Sequence, residues 1–522
     1  MGTHDAPNTF VLNLLALTSL RSGTATKIRP GGITQDSLVF NETQTEDLIR
    51  TTNNDTGAVY RTTVGPNYFR SWSNLPNGTQ VVSTLNLGNQ SYEIARDLAI
   101  GSVKYAETGR ILAFELGNEP NSYWEPTGPN AGTTGYVAEW KNWTTHIDSE
   151  VDSFLKANKT SDQVDHRRWW ASSSTTDDTT VKLTPAAIIP AGIDTPQGNI
   201  EDYSIHNYQY STCDPARLEL ATIPNVLNIT AFYAYADDLV MPSGRAALQA
   251  GRKWIIGEYN SISCSGRLNV TDTATQPLWQ LMTALGYASR NASGTFLHQG
   301  GVLKLQSSQQ QNNASSVDGK PAFSAYDMVY PVETSARGPR RANPGFLSQL
   351  VLAEAFGKSG ETRVSTLPVP QGADPDRFAA FGFWDPVASS SKNNGHDHEY
   401  GDGNSNETPD RVLLLNTQPY FFNSTSDGTV SVDISSLLPR PKKQHDNAKG
   451  SQKGILAKRM TSPYVDTKNS SQCTWAGQSF EQAFTKGKLS IEQVKSYGHG
   501  TTVDVRGSEA LLVWLKGKPF DA

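Results

Sequence analysis

The feature that most constrains this chain is a regular alternation of two apolar patterns before residue 300. Stretches with helical spacing separate seven short β-type apolar runs, which are Thr26 to Gly31, Gln80 to Leu87, Arg110 to Leu116, Arg167 to Ser172, Glu201 to Tyr208, Lys253 to Tyr259 and Gly294 to Gln299. Short strands joined by helices form βα units, whose strands lie parallel in one sheet. Seven such units predict an α/β fold, a (β/α)8 TIM barrel that is one strand short.

The missing strand should be the first. The stretch Asn8 to Leu20 is typical of the first barrel helix and has no strand-like run before it. Met1 to Thr9 also lacks the basic segment of a secretory signal. We therefore expect that the first strand and a signal peptide lie outside this sequence; a genuine short form is the alternative.

After Pro344 to Gly357, which has the pattern of the last barrel helix, the chain changes to short alternating runs. These are Arg363 to Pro368, Arg377 to Trp384, Val412 to Thr417, Thr429 to Ile434, Leu489 to Val494, Thr502 to Val505 and Ala510 to Leu515. Short alternating strands separated by turns are typical of an antiparallel β-sandwich. The sequence thus predicts a barrel over residues 1–358 and a C-terminal β-sandwich domain over 359–522.

Composition narrows the function classes. The net charge is -6 and the pI about 5.9, so no basic surface is expected for nucleic acid or anionic lipid. The longest apolar run, Val11 to Leu17, is far shorter than the roughly 20 residues that span a bilayer. The sequence has no Gly-x-Ser-x-Gly elbow, no P-loop and no His-Glu-x-x-His motif. We expect a monomer with no cofactor and no bound metal.

Thirteen asparagines stand in Asn-x-Ser/Thr triplets, more than chance would give. They are Asn41, Asn54, Asn77, Asn89, Asn142, Asn158, Asn228, Asn269, Asn291, Asn313, Asn406, Asn423 and Asn469. Such triplets are acceptors for N-glycosylation, so they indicate a secreted, glycosylated protein. The three cysteines allow one disulfide. Cys213 and Cys264 follow neighbouring strands six and seven, so we expect that disulfide between them, with Cys473 left over.

Two apolar strands end in glutamates. One is followed by Asn118-Glu119-Pro120, and the other ends in Gly257-Glu258-Tyr259. The C-terminal ends of parallel barrel strands open onto one face, where the active sites of such barrels lie. Glu119 and Glu258 should therefore face one pocket. Paired carboxylates across a pocket are what glycosidic cleavage requires, because one donates a proton while the other attacks or activates water.

The segment Glu115 to Ser122 resembles the acid/base signature of glycoside hydrolase family 79, which holds β-glucuronidases and heparanase. Four further segments agree in order, namely Arg29 to Asp36, Ser204 to Tyr208, Gly257 to Ser261 and Leu297 to Gly300, the last of which is similar to the fungal members. The resemblance covers nearly the whole chain. It implies retaining hydrolysis of β-linked glucuronic acid, with Glu119 as general acid and base and Glu258 as nucleophile.

The resemblance also implies substrate contacts. Asn118 should bind the sugar 2-hydroxyl, and Tyr208 should donate to Glu258. His206 is either functional or structural. The loop containing Ser265 and Gly266, helped by Tyr326, should hold the uronate carboxylate, and Gln299 is a further candidate.

Two alternatives stay open. One is another β-glycosidase of the same clan, such as a β-glucosidase or xylanase. The other is a catalytically silent glycan-binding protein.

Overall fold

A computed structural model describes residues 2–55, 58–125, 127–128, 130–158, 168–177, 179–194, 198–300, 316–317, 320–321, 323–386, 408–438, 454–494 and 500–521. The glycosylation candidates Asn313 and Asn406 lie outside the described residues.

The helices occupy the first two thirds of the chain. They are α1 Thr9–Ser22, α2 Pro66–Arg70, α3 Tyr92–Tyr105, α4 Gly132–Ala157, α5 Pro185–Ile188, α6 Pro215–Leu220, α7 Ile223–Val226, α8 Ile229–Tyr235, α9 Met241–Gln249, α10 Thr275–Ala288 and α11 Leu347–Phe356. The predicted first helix begins where a side chain can cap it, since Asn8 accepts from the Val11 N–H. Gly23, with φ 70°, ends it.

The strands before residue 300 form the barrel sheet and two small sheets. They are β1 Leu38–Phe40, β2 Leu48–Thr52, β3 Val59–Val64, β4 Val81–Leu85, β5 Ile111–Leu116, β6 Trp169–Thr175, β7 Ile200–Asn207, β8 Tyr210–Ser211, β9 Lys253–Tyr259, β10 Ile262–Ser263 and β11 Thr295–Leu297. The two small sheets have the orders β1-β3-β2 and β10-β8. The short β12 Ser316–Val317, β13 Lys320–Pro321, β14 Val329–Tyr330 and β15 Arg341–Ala342 follow.

Six of the seven predicted barrel strands form one parallel sheet. Its order is β11-β9-β7-β6-β5-β4. The predicted first run, Thr26 to Gly31, is reduced to a single parallel bridge from Ile28 to Val81. Pro30 has no N–H to offer a neighbour, which limits pairing there. Among the described residues, the sheet therefore runs from the Ile28 bridge through β4 to β11, and no strand pairs Ile28 with β11.

Two strands of this sheet are buried along their whole length, as in a closed barrel. Every residue of β4 and of β6 is buried, whereas all three residues of β11 are partly exposed. Helix α1 nevertheless packs against α11, so the first and last barrel helices are in contact.

The C-terminal strands form two packed sheets. They are β16 Arg363–Leu367, β17 Phe378–Trp384, β18 Arg411–Asn416, β19 Val430–Asp433, β20 Ile455–Thr461, β21 Thr474–Trp475, β22 Glu492–Val494, β23 Thr502–Val505 and β24 Glu509–Trp514. The larger sheet has the order β16-β17-β18-β24-β20-β21, with β22 beside β20, and the smaller pairs β19 with β23. All pairings in both are antiparallel.

Side chains alternate between the two faces of these strands, so the large sheet contributes to two separate apolar clusters. Phe381 and Leu413 belong to the same apolar cluster as the barrel helices, while Phe378, Val412 and Val505 pack between the two C-terminal sheets. The large sheet is thus covered by the barrel on one face and by the small sheet on the other. We propose residue 358 as the boundary, because α11 ends at Phe356 and β16 begins at Arg363.

Candidate active site

Glu119 stands just beyond the C-terminal end of β5, in a turn that few residues adopt. Its φ is 47° and ψ 52°, and Gly117 before it has φ 82°. A left-handed conformation at a residue other than glycine is strained, and such strain concentrates at functional sites. The Glu119 N–H donates to the Ser173 carbonyl over 2.9 Å, which fixes the turn against the end of β6. The side chain is 20% exposed, with Oε1 3.4 Å from His206 Nδ1.

Glu258 is the penultimate residue of β9, and two donors hold its carboxylate. The Tyr208 hydroxyl donates to Oε1 over 2.9 Å, and Arg29 Nη1 donates to Oε2 over 2.9 Å. Burial alone would raise the pKa of Glu258, but His298, His206 and Arg29 outweigh burial and lower it to about 2. Arg29 is a permanent cation, so its contribution to this lowering does not depend on pH. Glu258 is prepared to act as an anion.

The two carboxylates lie close together. Glu119, His206 and Glu258 each offer one ligand atom, and these atoms are all within 4.8 Å of one another. Such a trio has the donor types that a divalent cation takes. However, Arg29 and Tyr208 already use both oxygens of Glu258, so the arrangement suits proton transfer and nucleophilic attack better than metal binding.

Arg29 is the residue at this site that sequence reasoning missed as a functional group. Besides Glu258 it contacts Glu115, and its Nη2 donates to Asn118 Oδ1 over 3.0 Å. Its side chain is 4% exposed and that of Glu115 wholly buried. Ser173 donates to the other oxygen of Glu115. The Arg29 guanidinium therefore links Glu115 of β5 and Glu258 of β9 to the segment at the edge of the sheet.

A second missed residue, Asp36, supports the loop that carries Asn118. Its carboxylate accepts from the main-chain N–H groups of Leu87, Gly88 and Asn118. Burial raises the pKa of Asp36 to about 6, although these N–H groups and Tyr123 oppose the rise. The sequence did contain a signal for both residues, because Arg29 is the first and Asp36 the last residue of the segment Arg29 to Asp36, one of the segments that carry the family resemblance.

The groups predicted to hold a uronate lie together beside Glu258. The Tyr326 hydroxyl is 2.6 Å from His298 Nδ1 and also contacts the main chain of Ser265. The prediction of Gly266 as a main-chain donor needs correction, because its N–H donates to the Ile262 carbonyl over 3.1 Å. That bond closes the loop, so this N–H is not directed at a ligand.

Gly266 has a different part in the loop. Its φ is 79°, and a Cβ there would lie 2.5 Å from Thr271 Oγ1. Only glycine fits this position without strain. Gln299, the remaining candidate, is exposed, and its side chain bonds to the Met328 N–H and the His298 carbonyl.

Cys213 and Cys264 form a disulfide that joins the segments following β7 and β9. Cys264 is two residues before Gly266, so the disulfide braces the loop beside the site. Cys473 is buried and free, far along the chain in the C-terminal sheets.

The described glycosylation candidates lie at the surface. Ten of the eleven are exposed, and Asn228 is half-buried because its side chain caps α8 by accepting from the Ala231 N–H. In the part of the chain that the structure describes, none of the helices has the length and apolar character needed to cross a membrane.

Comparison with known proteins finds one matching domain family and several relatives. Residues 400–512 match the model of the glycosyl hydrolase family 79 C-terminal beta domain. A β-glucuronidase of Neurospora crassa is 23% identical over 509 residues, which cover 93% of this chain and 83% of that relative. The C-terminal part of the chain thus matches glycoside hydrolase family 79, and most of the chain is similar to a fungal β-glucuronidase. A β-glucuronidase of Aspergillus niger is 28% identical over 319 residues, covering 57% of this chain and 55% of that relative.

Solved structures share the fold. A 4-O-α-L-rhamnosyl-β-D-glucuronidase from Fusarium oxysporum matches with a TM-score of 0.69 at 18% identity, covering 96% of this chain and 90% of that chain. AbfB, a family 51 α-L-arabinofuranosidase from Bifidobacterium longum, matches with a TM-score of 0.52 at 11% identity, covering 96% and 88%. The prediction of a barrel followed by a β-sandwich is confirmed.

Proposed function

We propose that this protein is a retaining β-glucuronidase that removes terminal β-linked glucuronic acid, with or without a 4-O-methyl group, from glycans. The observation that carries the proposal is the approach of Glu119 and Glu258 to within 4.8 Å. Retaining glycosidases hold their two carboxyl groups about 5–5.5 Å apart, whereas inverting ones leave about 6.5–9.5 Å for a water. The fungal relatives named β-glucuronidases support the choice of sugar.

The different surroundings of Glu119 and Glu258 suit the two residues to different roles in the reaction. An oxygen of Glu258 attacks the anomeric carbon and forms a covalent ester, while protonated Glu119 gives its proton to the departing glycosidic oxygen. Water then attacks the same carbon, Glu119 takes a proton from that water, and the bond to Glu258 breaks. Glu258 must be ionised at the start, which its low pKa supports.

The surrounding donors fit a glucuronide. Asn118 Oδ1 accepts a hydrogen bond from Arg29. The amide group that can donate to the sugar 2-hydroxyl is therefore Asn118 Nδ2. That contact strengthens in the transition state of such reactions. The Ser265 loop, Tyr326 and His298 supply the polar surface for the uronate carboxylate.

The test is hydrolysis of 4-nitrophenyl β-glucuronide beside the β-glucoside and β-xyloside. We expect selective release from the glucuronide. Glu119→Gln should lower kcat by about 10²–10⁴-fold for a substrate whose leaving group needs a proton, and Glu258→Gln should lower it further. Glu219→Gln, at an exposed position in α6, is the matched control and should change nothing.

Three outcomes separate the alternatives. Preference for a neutral sugar would keep the two glutamates and reject the uronate assignment. Binding of glucuronides without turnover would favour a silent glycan-binding protein. Azide rescue of Glu258→Ala would support the nucleophile, because a small anion can attack in its place.

We also propose that the protein acts as a secreted, N-glycosylated monomer. The exposed sequons support glycosylation, and the net charge of -6 favours a single chain because like-charged copies repel. Glycopeptide mass spectrometry after expression in a secretory eukaryotic host, with light scattering on the product, tests both statements.

A further inference from the structure

A second cavity lies beside the candidate active site. Its volume is about 250 Å³, below the roughly 300–1,000 Å³ of pockets for drug-sized ligands, so it has room for one sugar ring rather than for a chain. The loop after β4, the loop after β5 and the N-terminal half of α4 supply its lining, which includes Leu87, Gln90, Trp124, Glu125, Glu139 and Trp143. We call it the loop cavity.

The loop cavity and the candidate active site share a support. The main-chain N–H groups of Leu87 and Asn118 both donate to the Asp36 carboxylate, each over 3.1 Å. The Trp124 N–H donates to the Pro120 carbonyl over 2.8 Å, which holds this tryptophan one turn beyond the residue that follows the candidate acid. The cavity wall and the catalytic turn are therefore parts of one braced loop structure.

The place of the loop cavity relates it to one half of the substrate, an inference that rests on the proposed function. Glu119 gives its proton to the departing glycosidic oxygen, so the departing group lies on the Glu119 side of the anomeric carbon. The loop that carries Glu119 also forms a wall of the cavity. The departing part of a glycan is therefore the part that can reach the cavity.

Two carboxylates in the lining are available to a ligand. Glu125 is exposed and Glu139 half-buried, and neither side chain has a hydrogen bond or an ion pair with another described residue. Among the described residues that line the cavity there is no lysine or arginine. A carboxylate accepts strong, charge-assisted hydrogen bonds from hydroxyl groups. The lining thus suits a ligand that carries hydroxyls and no negative charge.

Two tryptophans supply the apolar part of the lining. Trp124 is 8% exposed and packs edge-on against Tyr136, and Trp143 is 4% exposed and packs in the same way against Tyr92. The Trp124 indole N–H is buried and lacks a hydrogen-bond partner in the described part of the chain, and such a donor calls for one. Indole faces are negative and attract the weakly positive C–H groups of a sugar ring. Indole surface beside hydroxyl acceptors is the chemistry of a sugar site.

We propose that the loop cavity binds a neutral pyranose of the departing glycan. A uronate or a sulfated sugar would bring its negative charge next to Glu125 and Glu139, and like charges placed together in this way weaken binding. The site therefore selects substrates whose glucuronic acid is attached to neutral sugars. Chains in which the adjoining sugars are acidic are rejected.

The first experiment compares two substrates that differ only in the departing sugar. In both, glucuronic acid is β-1,3-linked, to methyl β-galactoside in one and to methyl β-galacturonide in the other. We expect kcat/KM to be at least about tenfold higher for the galactoside. Glu125→Lys should narrow this ratio, because it replaces a repelling charge with an attracting one. Glu219→Lys, at an exposed position in α6, is the matched control and should leave the ratio as it is.

A substrate without a departing sugar separates the loop cavity from catalysis. Glu139→Gln keeps the shape of the side chain and removes the charge of the acceptor. Its loss of kcat/KM on the galactoside substrate should exceed its loss on 4-nitrophenyl β-glucuronide by about tenfold. Equal losses on the two substrates would mean that Glu139 only supports the loop, and would overturn the proposal.

Binding is also measured without turnover, in the whole chain. NMR saturation transfer is recorded for the methyl β-glycosides of galactose, glucose and xylose and for methyl β-galacturonide. We expect transfer to at least one neutral sugar, with a dissociation constant that Glu139→Gln raises by about tenfold. Methyl β-galacturonide should show no binding that depends on Glu139.

Four outcomes would overturn the proposal. They are equal rates for the galactoside and galacturonide substrates, no binding of any neutral sugar at high millimolar concentration, binding that Glu139→Gln leaves unchanged, and binding that appears only in Asn89→Gln. Asn89 is a glycosylation candidate next to Gln90 of the lining, so the last result would put the chain's own glycan in the cavity. Failure of the proposed function is distinguishable, because neutral-sugar binding in a protein that does not hydrolyse the glucuronide would reject that function and uphold the sugar site.

Discussion

Replacing Tyr208 with phenylalanine removes one of the two donors to Glu258 and leaves the ring in place. The Tyr208 hydroxyl donates to Glu258 Oε1 over 2.9 Å in a buried site. Burial and the neighbouring Glu258 raise the pKa of Tyr208 well above its ordinary value, so the hydroxyl keeps its proton and remains a donor. A hydrogen bond to a charged group is worth about 1.5–3 kcal/mol.

Two measurable effects follow from that figure. The pKa of Glu258 should rise from about 2 by about one to two units, since one unit corresponds to about 1.4 kcal/mol. Because the nucleophile must be ionised, the acidic limb of kcat/KM should move to higher pH by the same amount. On the plateau, loss of orientation should lower kcat/KM by about 10- to 150-fold.

The assay is kcat/KM for 4-nitrophenyl β-glucuronide from pH 2.5 to 7. Tyr60→Phe, at a half-exposed position in β3, is the control and should leave the profile unchanged. A Tyr208→Phe enzyme with kcat/KM within twofold of the parent and an unmoved acidic limb would refute the role given to this hydrogen bond.

Three further substitutions test the support of the site. Arg29→Met should lower the free energy of unfolding by about 3–5 kcal/mol in urea titrations, because it strands the buried Glu115, and Glu115→Gln in the same chain should recover part of the loss. The raised pKa of Asp36 means that the folded state keeps this proton to higher pH than the unfolded state. Stability should therefore fall by up to about 3 kcal/mol between pH 4 and 6 and then level off, a fall absent in Asp36→Asn. Cys213→Ser opens a disulfide loop with a sequence separation of 51 residues, which should cost up to about 4 kcal/mol and lower the thermal midpoint.

Local patterns predicted the positions of the two glutamates because each ends a long apolar run. Glu258 follows Trp254 to Gly257, all buried in β9, and Glu119 follows β5 after a turn that Gly117 permits. The C-terminal ends of parallel barrel strands all open onto one face of the barrel. The sequence was therefore enough to place both glutamates on that face.

Contacts between distant segments could not be predicted in the same way. Arg29 and Glu258 are 229 residues apart, and nothing in either segment indicates the guanidinium as the shared partner. Gly266 could be assigned to the right loop but not to the right hydrogen bond, since its N–H closes the loop on Ile262.

Two C-terminal strands, β20 and the two-residue β21, were not predicted. β20 lies inside the large sheet, and the charged pair Lys458 and Arg459 interrupts its apolar residues. Lys458 is 1% exposed and donates to Glu354 of α11 over 2.8 Å. A lysine inside a central strand is uncommon without such a partner, and the partner stands more than 100 residues earlier in the chain.

The most direct test of the account is to trap the covalent intermediate. A 2-deoxy-2-fluoro-β-glucuronosyl fluoride should form the glycosyl-enzyme quickly and release it slowly, so the labelled peptide can be mapped by mass spectrometry. We predict one label per chain, on Glu258, and none in the Glu258→Gln protein. A label on Glu119, or continued turnover to the α-anomer with no label at all, would contradict the assignment of Glu258 as the nucleophile of a retaining enzyme.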